Sequence, residues 1–319
     1  MIRVGLFGYG HLGKIHHKCL EGTPFVLAGV YDPALSSSAT ATLDTLVASS
    51  ADALMMECDA CIIASTTSTH HDLVTQAIEN GKHVFVEKPM TSTLEQAEEI
   101  GALLIGNPKI ISQVGFVERY NPAFKYIEPE IDNPRFIEVH RLASFNERGS
   151  DVSVVFDLMI HDLNMALSMI DAEVREIRAN GVRLISDSMD ICSARIEFKN
   201  KSVVNVTASR MSLKQMRKFR IFQEKTYLSL DLIEKKAEVV AMSDTPASDH
   251  MEMNFGKRKK YMSYKSSGSL SGNAIQDELI DFYQSIVSEK QSKVNCQAAL
   301  RTTRIADQIE RTAIESSIL

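Results

Sequence analysis

Residues 2–13, IRVGLFGYGHLG, decide the expected fold, because a short apolar run leads directly into three glycines with the spacing G-x-G-x-x-G. In a strand-to-helix connection this spacing is typical of a dinucleotide-binding turn. Gly8 permits the tight turn, and Gly10 lets a pyrophosphate approach the backbone at the helix N-terminus. Gly13 allows the helix to pack closely on the strand. The stretch therefore predicts a Rossmann fold, with His11 and Leu12 in the binding turn.

An acidic residue follows where a dinucleotide site needs one. Asp32 ends the second predicted strand, FVLAGVYD, 19 residues after Gly13. A carboxylate there can accept hydrogen bonds from the adenosine ribose and would repel a 2′-phosphate. No arginine follows it in DPALSSS, so NAD is favoured over NADP. Alternatively, the glycines serve only as turns and Asp32 only starts the turn at Pro33.

The first 120 residues alternate between short apolar runs and segments with helical spacing, which predicts a doubly wound parallel sheet. Ligands of such sheets bind beyond the carboxyl ends of the strands. The loops that follow two of the predicted strands supply further candidates for cofactor binding. The first of these loops can equally serve only to cap the next helix. These candidates are Ser65, Thr66, Thr69 and His70 in ASTTSTHHD, and Glu87 and Lys88 in HVFVEKP.

Beyond residue 122 the pattern changes to apolar alternation with period two, which predicts an α+β domain with a large, mainly antiparallel sheet. We therefore divide the chain into a Rossmann domain, residues 1–121, and a second domain, residues 122–319. A helix on one face of that sheet leaves the other face open, so we expect a homodimer or homotetramer. The basic, serine-rich run 254–273 is interpreted as a solvated loop or as a border of the substrate pocket.

Residues 156–170, FDLMIHDLNMALSMI, predict a mostly buried helix with one polar stripe. Asp157, His161, Asn164 and Ser168 fall on that stripe at 3.6 residues per turn. An aspartate and a histidine four residues apart can simply satisfy each other. They can also contact a bound small molecule. A metal site would need a further coordinating residue at suitable spacing, so we predict no metal site.

Composition limits the partners. The chain has 319 residues, a formal net charge of -6 and interspersed charges, which excludes a basic nucleic-acid surface. It contains no apolar run long enough to span a membrane and no leader pattern, so we expect a cytoplasmic protein with a small-molecule substrate.

Cys58 and Cys61 spell C-x-x-C, but without further metal-coordinating residues nearby we interpret them as ordinary strand-entry residues.

Four stretches together resemble the Gfo/Idh/MocA family of NAD(P)-dependent sugar oxidoreductases over nearly the whole chain. They are GLFGYGHLGKIHHKCL, ASTTSTHHDLVTQAIENGKHVFVEKPMTSTLEQAEEI, VGFVERYNPAF and DLMIHDLN. The resemblance implies that Lys88 lies between nicotinamide and substrate and that Asp157 and His161 complete the catalytic group. His161 would then remove the hydroxyl proton, and Glu87 would hold Lys88 or the cofactor loop.

The string DVSVVFDLMIHDLN resembles a subgroup that oxidises UDP-N-acetylglucosamine at its 3-hydroxyl, which makes a nucleotide sugar the expected substrate. The alternatives are a free sugar, an inositol, a dihydrodiol, or an NAD-binding sensor without activity. The chain departs from the usual family pattern at Thr66, at GSDVSVV and at Asn164, and the last two changes alter the expected substrate pocket. Candidates for substrate contact are Arg119, Tyr120, Asn121, Arg148 and Asn164, although a structural hinge explains Arg119 and Tyr120 equally well.

Overall fold

The computed structural model describes residues 1–35, 45–146, 152–246, 250–255 and 258–316. The chain forms two compact units. The first comprises Met1–Val117 and Asn273–Arg304, and the second comprises Glu118–Gly272 and Ile305–Leu319. Each unit is built around its own sheet.

The strands are β1 (Arg3–Phe7), β2 (Val26–Tyr31), β3 (Ala60–Ile63), β4 (His83–Val86), β5 (Ser112–Val114), β6 (Phe136–Leu142), β7 (Val174–Val182), β8 (Ile191–Phe198), β9 (Val203–Ser209), β10 (Met216–Phe222), β11 (Thr226–Asp231), β12 (Lys236–Ser243), β13 (Met251–Phe255) and β14 (Arg258–Ser266). The α-helices are α1 (His11–Leu20), α2 (Ala51–Met56), α3 (His70–Glu79), α4 (Leu94–Gly106), α5 (Pro122–Ile127), α6 (Ile160–Ser168), α7 (Ala274–Val287) and α8 (Cys296–Glu315). Short 3₁₀ turns cover Thr67–Thr69, Val117–Tyr120 and Glu128–Glu130.

The first unit contains a five-stranded sheet in the order β2-β1-β3-β4-β5, and every adjacent pair is parallel. β3 is buried along its whole length, as expected for a strand covered on both faces. Two of its helices begin at hydroxyl caps, since Ser50 Oγ accepts from Ala53 N and Thr93 Oγ1 accepts from Gln96 N. The predicted doubly wound parallel sheet is confirmed.

The core of the first unit includes a segment from late in the chain. Leu279 and Phe282 of α7 are fully buried in the same apolar cluster as Val4, Leu6 and Phe85 of the sheet. Burying these side chains explains why residues 273–304 belong to the first unit. The units therefore differ from the contiguous division into 1–121 and 122–319.

The second unit contains a nine-stranded sheet in the order β13-β14-β12-β11-β10-β6-β9-β8-β7. All adjacent pairs are antiparallel except β6 and β9, which are parallel. Side chains from α5, α6 and the end of α8, such as Phe124, Leu163 and Ile309, share an apolar cluster with Phe219 and other inward residues of the sheet. The prediction of a large, mainly antiparallel sheet is confirmed.

The interpretation of residues 254–273 as a loop is wrong for much of its length. β14 occupies Arg258–Ser266 and pairs with β12 on one side and β13 on the other. The ladder forms through backbone groups, so a strand at this position tolerates lysine and serine side chains that face solvent. The basic, serine-rich composition of this segment therefore gave no indication of β14.

All five cysteines are free and buried, and the sulfur atoms of Cys58 and Cys61 lie 3.9 Å apart. Cys61 lies within β3, with its side chain fully buried. Among the described residues, no helix combines the length and hydropathy that a membrane crossing requires.

Candidate active site

The glycine turn after β1 has the geometry of an anion-binding turn. Gly8 has φ +94°, and a Cβ there would lie 2.5 Å from the backbone of Ser65. A Cβ on Gly13 would lie 2.1 Å from the carbonyl oxygen of Gly8. At Gly10, which caps α1, an added Cβ would meet no atom within 4 Å. Two positions thus require glycine for packing, and the third leaves open space at a helix N-terminus, where backbone N–H groups attract anions.

Asp32 is tied to this turn. Its Oδ2 accepts a hydrogen bond from Tyr9 N at 2.6 Å, and its Oδ1 accepts one from Ala34 N at 2.8 Å. Each carboxylate oxygen has two acceptor sites, so both oxygens can still accept from a ligand hydroxyl. Asp32 therefore keeps acceptor capacity for a ligand hydroxyl.

The loop after β3 holds the predicted hydroxyl groups close together. Ser65 Oγ lies 2.7 Å from Thr69 Oγ1, which donates to the carbonyl oxygen of Thr66 at 2.9 Å. His70 is 1% exposed, and its ring nitrogens lie 3.0 Å from Pro89 O and 3.2 Å from Ser65 O. The imidazole therefore links the loop after β3 to the turn after β4. His11 is exposed and Leu12 is half-buried.

The Glu-Lys-Pro turn after β4 is fixed through Glu87. Its Oε1 lies 2.7 Å from His16 Nε2, and its Oε2 accepts from the backbone N–H of Lys88 at 3.2 Å. The carboxylate packs against Gly115, where an added Cβ would lie 2.8 Å from Oε2. Glu87 is 8% exposed, whereas Lys88 is half-buried. Glu87 thus contacts the backbone of Lys88 directly.

A third ionisable side chain lies beside this pair. One ligand-type atom each from His16, Glu87 and Glu278 lies within 4.8 Å of the others, and all three side chains are buried. Neither carboxylate oxygen of Glu278 has a hydrogen-bond partner within the described part of the chain. Burial raises the pKa of Glu278 well above its ordinary value, and the charge of Glu87 raises it further.

Neither His16 nor Glu278 was predicted as a site residue from the sequence. A signal was present for the second residue, because Glu278 interrupts the apolar stripe of α7 formed by Ile275, Leu279 and Phe282. An acidic residue on the buried face of a helix requires a partner or a neutral form. The sequence alone does not identify that partner, which comes from distant segments.

In the second unit, a π-helical turn over Val155–Met159 leads into α6. Asp157 and His161 are half-buried and Asn164 is 3% exposed, but Ser168 is exposed and its Oγ donates to Met165 O. The helix is mostly buried, as predicted. Of the four residues of the expected polar stripe, Ser168 is the exposed one, and it is the last residue of α6.

Next to His161, a buried ion-pair network anchors α6. Arg141 Nε donates to Asp162 Oδ2 at 2.8 Å, and Arg141 Nη2 donates to Asp162 Oδ1 at 2.7 Å and to Glu118 Oε1 at 3.1 Å. Arg217 also contacts Glu118 Oε1, at 3.0 Å. Burial lowers the pKa of Arg141, but the two carboxylates outweigh burial and hold that pKa above its ordinary value. No pattern in the sequence indicates this network.

Arg119, Tyr120 and Asn121 are buried. The guanidinium of Arg119 lies 5.6 Å from the ring centroid of Phe124. Asn121 Oδ1 accepts from Ala123 N at 3.1 Å, which confirms the predicted helix start. Its Nδ2 donates to Leu232 O and Glu118 Oε2. The fold therefore uses the Asn121 amide, and Arg148 lies outside the described residues.

Comparison with known proteins matches both units of the chain to one oxidoreductase family. The description "Oxidoreductase family, NAD-binding Rossmann fold" matches residues 2–116, and "GFO/IDH/MocA C-terminal domain" matches residues 127–229. The UDP-N-acetylglucosamine 3-dehydrogenase of Acidithiobacillus ferrooxidans is 36% identical over 238 residues, which cover 73% of this chain and 74% of that protein. This chain belongs to the GFO/IDH/MocA oxidoreductase family.

Other members of the GFO/IDH/MocA family match as well. The inositol 2-dehydrogenase of Rhizobium meliloti is 28% identical over 229 residues, covering 65% of this chain and 66% of that protein. A solved structure of UDP-N-acetylglucosamine 3-dehydrogenase GnnA from Acidithiobacillus ferrooxidans superposes with a TM-score of 0.86, at 30% identity, over 99% of this chain and 98% of that one. Levoglucosan dehydrogenase in complex with NADH and L-sorbose has a TM-score of 0.83 at 20% identity, over 99% of this chain and 97% of that one, and shows a shared fold.

As a GFO/IDH/MocA oxidoreductase, the protein has an NAD-binding Rossmann unit, and its residues fit that cofactor. The open space at Gly10 suits a pyrophosphate at the N-terminus of α1. The Asp32 carboxylate, fixed by Tyr9 N, suits a ribose hydroxyl. These two features would hold NAD through its adenosine diphosphate half.

Proposed function

We propose that the protein is a nucleotide-sugar dehydrogenase that oxidises the 3-hydroxyl of UDP-N-acetylglucosamine with NAD. The observation that carries the proposal is its similarity to UDP-N-acetylglucosamine 3-dehydrogenase, at 36% identity over 73% of the chain. The similarity to the GnnA structure, which extends over 99% of the chain, supports it further. Both units of the chain contribute to that similarity.

In this proposal Lys88, Asp157 and His161 are the catalytic residues, and bound NAD supplies the hydride acceptor. Lys88 donates a hydrogen bond to the reacting oxygen and stabilises the negative charge that develops on it. His161 removes the hydroxyl proton, a task suited to an imidazole with an ordinary pKa of about 6.5. Asp157 fixes the tautomer of His161 and stabilises the imidazolium that forms.

Two buried groups support these assignments. Glu87 accepts a hydrogen bond from the backbone of Lys88, so the turn that carries the lysine is anchored. The bidentate pair of Arg141 and Asp162 anchors α6 one residue beyond His161. Catalytic side chains carried on rigid supports keep their geometry, which is what proton transfer and charge stabilisation require.

For the substrate we assign Asn164 to the pocket wall, and Arg119 and Tyr120 to its support. Since the Asn121 amide is used in capping α5, its contribution is to hold that helix start in place. Arg148 remains a candidate for contact with the diphosphate. We further propose a cytoplasmic homodimer or homotetramer.

The proposed oligomer forms through the open face of the nine-stranded sheet. That face carries Glu138, His140, Arg178, Arg195 and Thr207, which line a shallow polar depression. Along β6, β7, β8 and β9 they alternate with buried neighbours, so in the described part of the chain this face of these four strands is exposed or half-buried. Light scattering on the purified protein would report the mass of the assembly, and a monomer would contradict this part.

The test of function is formation of reduced nicotinamide, followed by absorbance, when the protein meets NAD and UDP-N-acetylglucosamine. We expect turnover with the nucleotide sugar, and turnover with myo-inositol at least about tenfold lower in kcat/KM. Inositol is the comparison of choice because an inositol 2-dehydrogenase is 28% identical over 65% of the chain. Turnover of inositol without turnover of the nucleotide sugar would contradict the proposal.

A further inference from the structure

His16, Glu87 and Glu278 form a cluster of buried ionisable groups in the first unit. His16 lies on α1, Glu87 follows β4, and Glu278 lies on α7. Their exposed fractions are 0%, 8% and 0%. Three distant segments thus bring two carboxyl groups and one imidazole into the core, where an unneutralised charge is costly.

The distances indicate how the charge is arranged. The 2.7 Å separation between His16 Nε2 and Glu87 Oε1 is typical of a charge-assisted hydrogen bond, which places the negative charge on Glu87. A second carboxylate within 4.8 Å would repel the first strongly in this environment. Glu278 is therefore expected to hold a proton. Besides Glu87, the titratable groups that face Glu278 are His16 and Cys19 of α1, and Cys19 also raises the pKa of Glu278.

The same distance argues against a metal ion as the neutralising group. Two ligands of a tetrahedral zinc ion, each about 2.1 Å from the metal, stand about 3.4 Å apart. The 2.7 Å contact between His16 and Glu87 is shorter than that and is satisfied as a hydrogen bond. A proton on Glu278 neutralises the site without separating this pair.

We propose that Glu278 is a positioning residue that must stay an uncharged carboxylic acid for Glu87 to keep its place beneath the Glu-Lys-Pro turn. The inference rests on the proposed function, since it assigns Glu278 to the support of Lys88. Glu87 bonds His16 through one oxygen and the Lys88 backbone N–H through the other. Ionised Glu278 would push Glu87 away from both contacts and release the lysine. A neutral Glu278 allows them to persist.

The first experiment needs no substrate. Hydrogen exchange of the Lys88 amide, followed by mass spectrometry on a peptide that includes it, reports the bond to Glu87 directly. Glu278→Leu removes the carboxyl group. At a pH above the folded-state pKa of Glu278, where the wild type carries a second buried carboxylate charge, we expect exchange at Lys88 to be about tenfold faster in the wild type than in Glu278→Leu at the same pH. Glu278→Gln keeps a neutral polar group of the same shape, and its exchange should stay within about twofold of that of Glu278→Leu. Glu310→Gln, which neutralises another glutamate of raised pKa in the second unit, is the matched control and should change nothing at Lys88.

The second experiment follows the unfolding midpoint of wild type and Glu278→Gln across pH. The folded-state pKa of Glu278 lies above its ordinary value of 4.5, so ionisation costs the folded wild type stability as pH rises from 4.5 to the folded pKa. Glu278→Gln lacks this loss, and its midpoint relative to wild type should rise by roughly 2–4 °C across that window and then level off. Since Glu278→Gln keeps a neutral carboxamide, this measurement is expected to succeed even if Glu278→Leu fails to fold.

The outcomes separate the possibilities. Exchange at Lys88 that is equal in the wild type and in both Glu278 variants at every pH, or a midpoint difference independent of pH, would overturn the inference. Zinc or manganese ions that raise the wild-type midpoint but not that of Glu278→Gln would also overturn it, by showing a metal site. Faster exchange in the wild type than in Glu278→Leu, together with absence of any turnover of UDP-N-acetylglucosamine, would support the positioning role and contradict only the proposed function.

Discussion

Arg141 and Asp162 form a bidentate ion pair inside the second unit, with N–O distances of 2.8 Å and 2.7 Å and side chains that are 3% and 1% exposed. Arg141 lies on β6, and Asp162 lies on α6 immediately after His161. The pair therefore connects the sheet to the helix that carries the proposed catalytic base. Removal of Arg141 leaves buried Asp162 without its bidentate partner and leaves Glu118 paired with Arg217.

Arg141→Ala should accordingly lower the free energy of unfolding by about 3–5 kcal/mol, the usual cost of breaking a buried ion pair by removing one partner. Urea unfolding followed by circular dichroism measures the change. The control is Arg135→Ala, which removes an exposed arginine that donates to Asn200 O. Its effect should stay within about 0.5 kcal/mol. Equal effects of the two substitutions would contradict the structural role of Arg141.

The glycine turn offers a matched pair of substitutions. Gly13→Ala would place a Cβ 2.1 Å from the Gly8 carbonyl oxygen and should destabilise the protein by roughly 1–3 kcal/mol. Gly10→Ala meets no atom within 4 Å and should leave stability nearly unchanged, while weakening NAD binding about tenfold or more by filling the space for the pyrophosphate. Thermal unfolding and titration with NADH separate the effects. Unaltered NADH affinity in Gly10→Ala would contradict the binding assignment.

The proposed catalytic residues make a kinetic prediction. His161→Ala and Lys88→Ala should each reduce kcat by about 10²–10⁴, as expected for loss of a general base or of an oxyanion donor. The dissociation constant for NADH should stay within a few fold, because neither side chain is assigned to the adenosine half of the site. His140→Ala, on the open face of the sheet, is the control and should retain activity. Full activity in both catalytic variants would mean that the mechanism is wrong.

Asp190 makes a prediction about acid stability. Although burial raises its pKa, hydrogen bonds from Ser186 Oγ and from the backbone N–H groups of Leu184, Ile185 and Ser186 lower it to about 2. The stabilisation is present above the ordinary value of 3.8 and is lost as pH falls from 3.8 to 2. Asp190→Asn should therefore be less stable than wild type at neutral pH, by roughly 1–3 kcal/mol. In urea unfolding the difference should shrink below pH 3.8, and a constant difference would contradict this account.

Sequence reasoning succeeded where structure depends on local pattern. Apolar runs that end in Gly8 and Asp32, with helical spacing between them, indicated the doubly wound sheet, and Asn121 with Pro122 indicated a helix start. It failed where structure depends on pairing between distant segments. No local pattern reveals that β14 pairs with β12, because the backbone supplies the bonds.

The candidate site shows the same division. Short motifs predict roles for Glu87, Lys88 and His161, whereas they give no indication that His16 contacts Glu87 or that Arg141 contacts Asp162. His16 and Glu87 are 71 positions apart, and Arg141 and Asp162 are 21 positions apart. Such contacts depend on how the chain is folded. Only a charged residue on an apolar face, as at Glu278, gives a warning in the sequence.

The most direct test of the central claim uses UDP-N-acetylglucosamine that carries deuterium on carbon 3 of the sugar. After reaction with NAD and the purified protein, mass spectrometry of the nicotinamide product shows whether the label has moved. Our account predicts one deuterium in each NADH formed and a 3-keto sugar as the second product. NADH without deuterium, or no NADH at all, would contradict it.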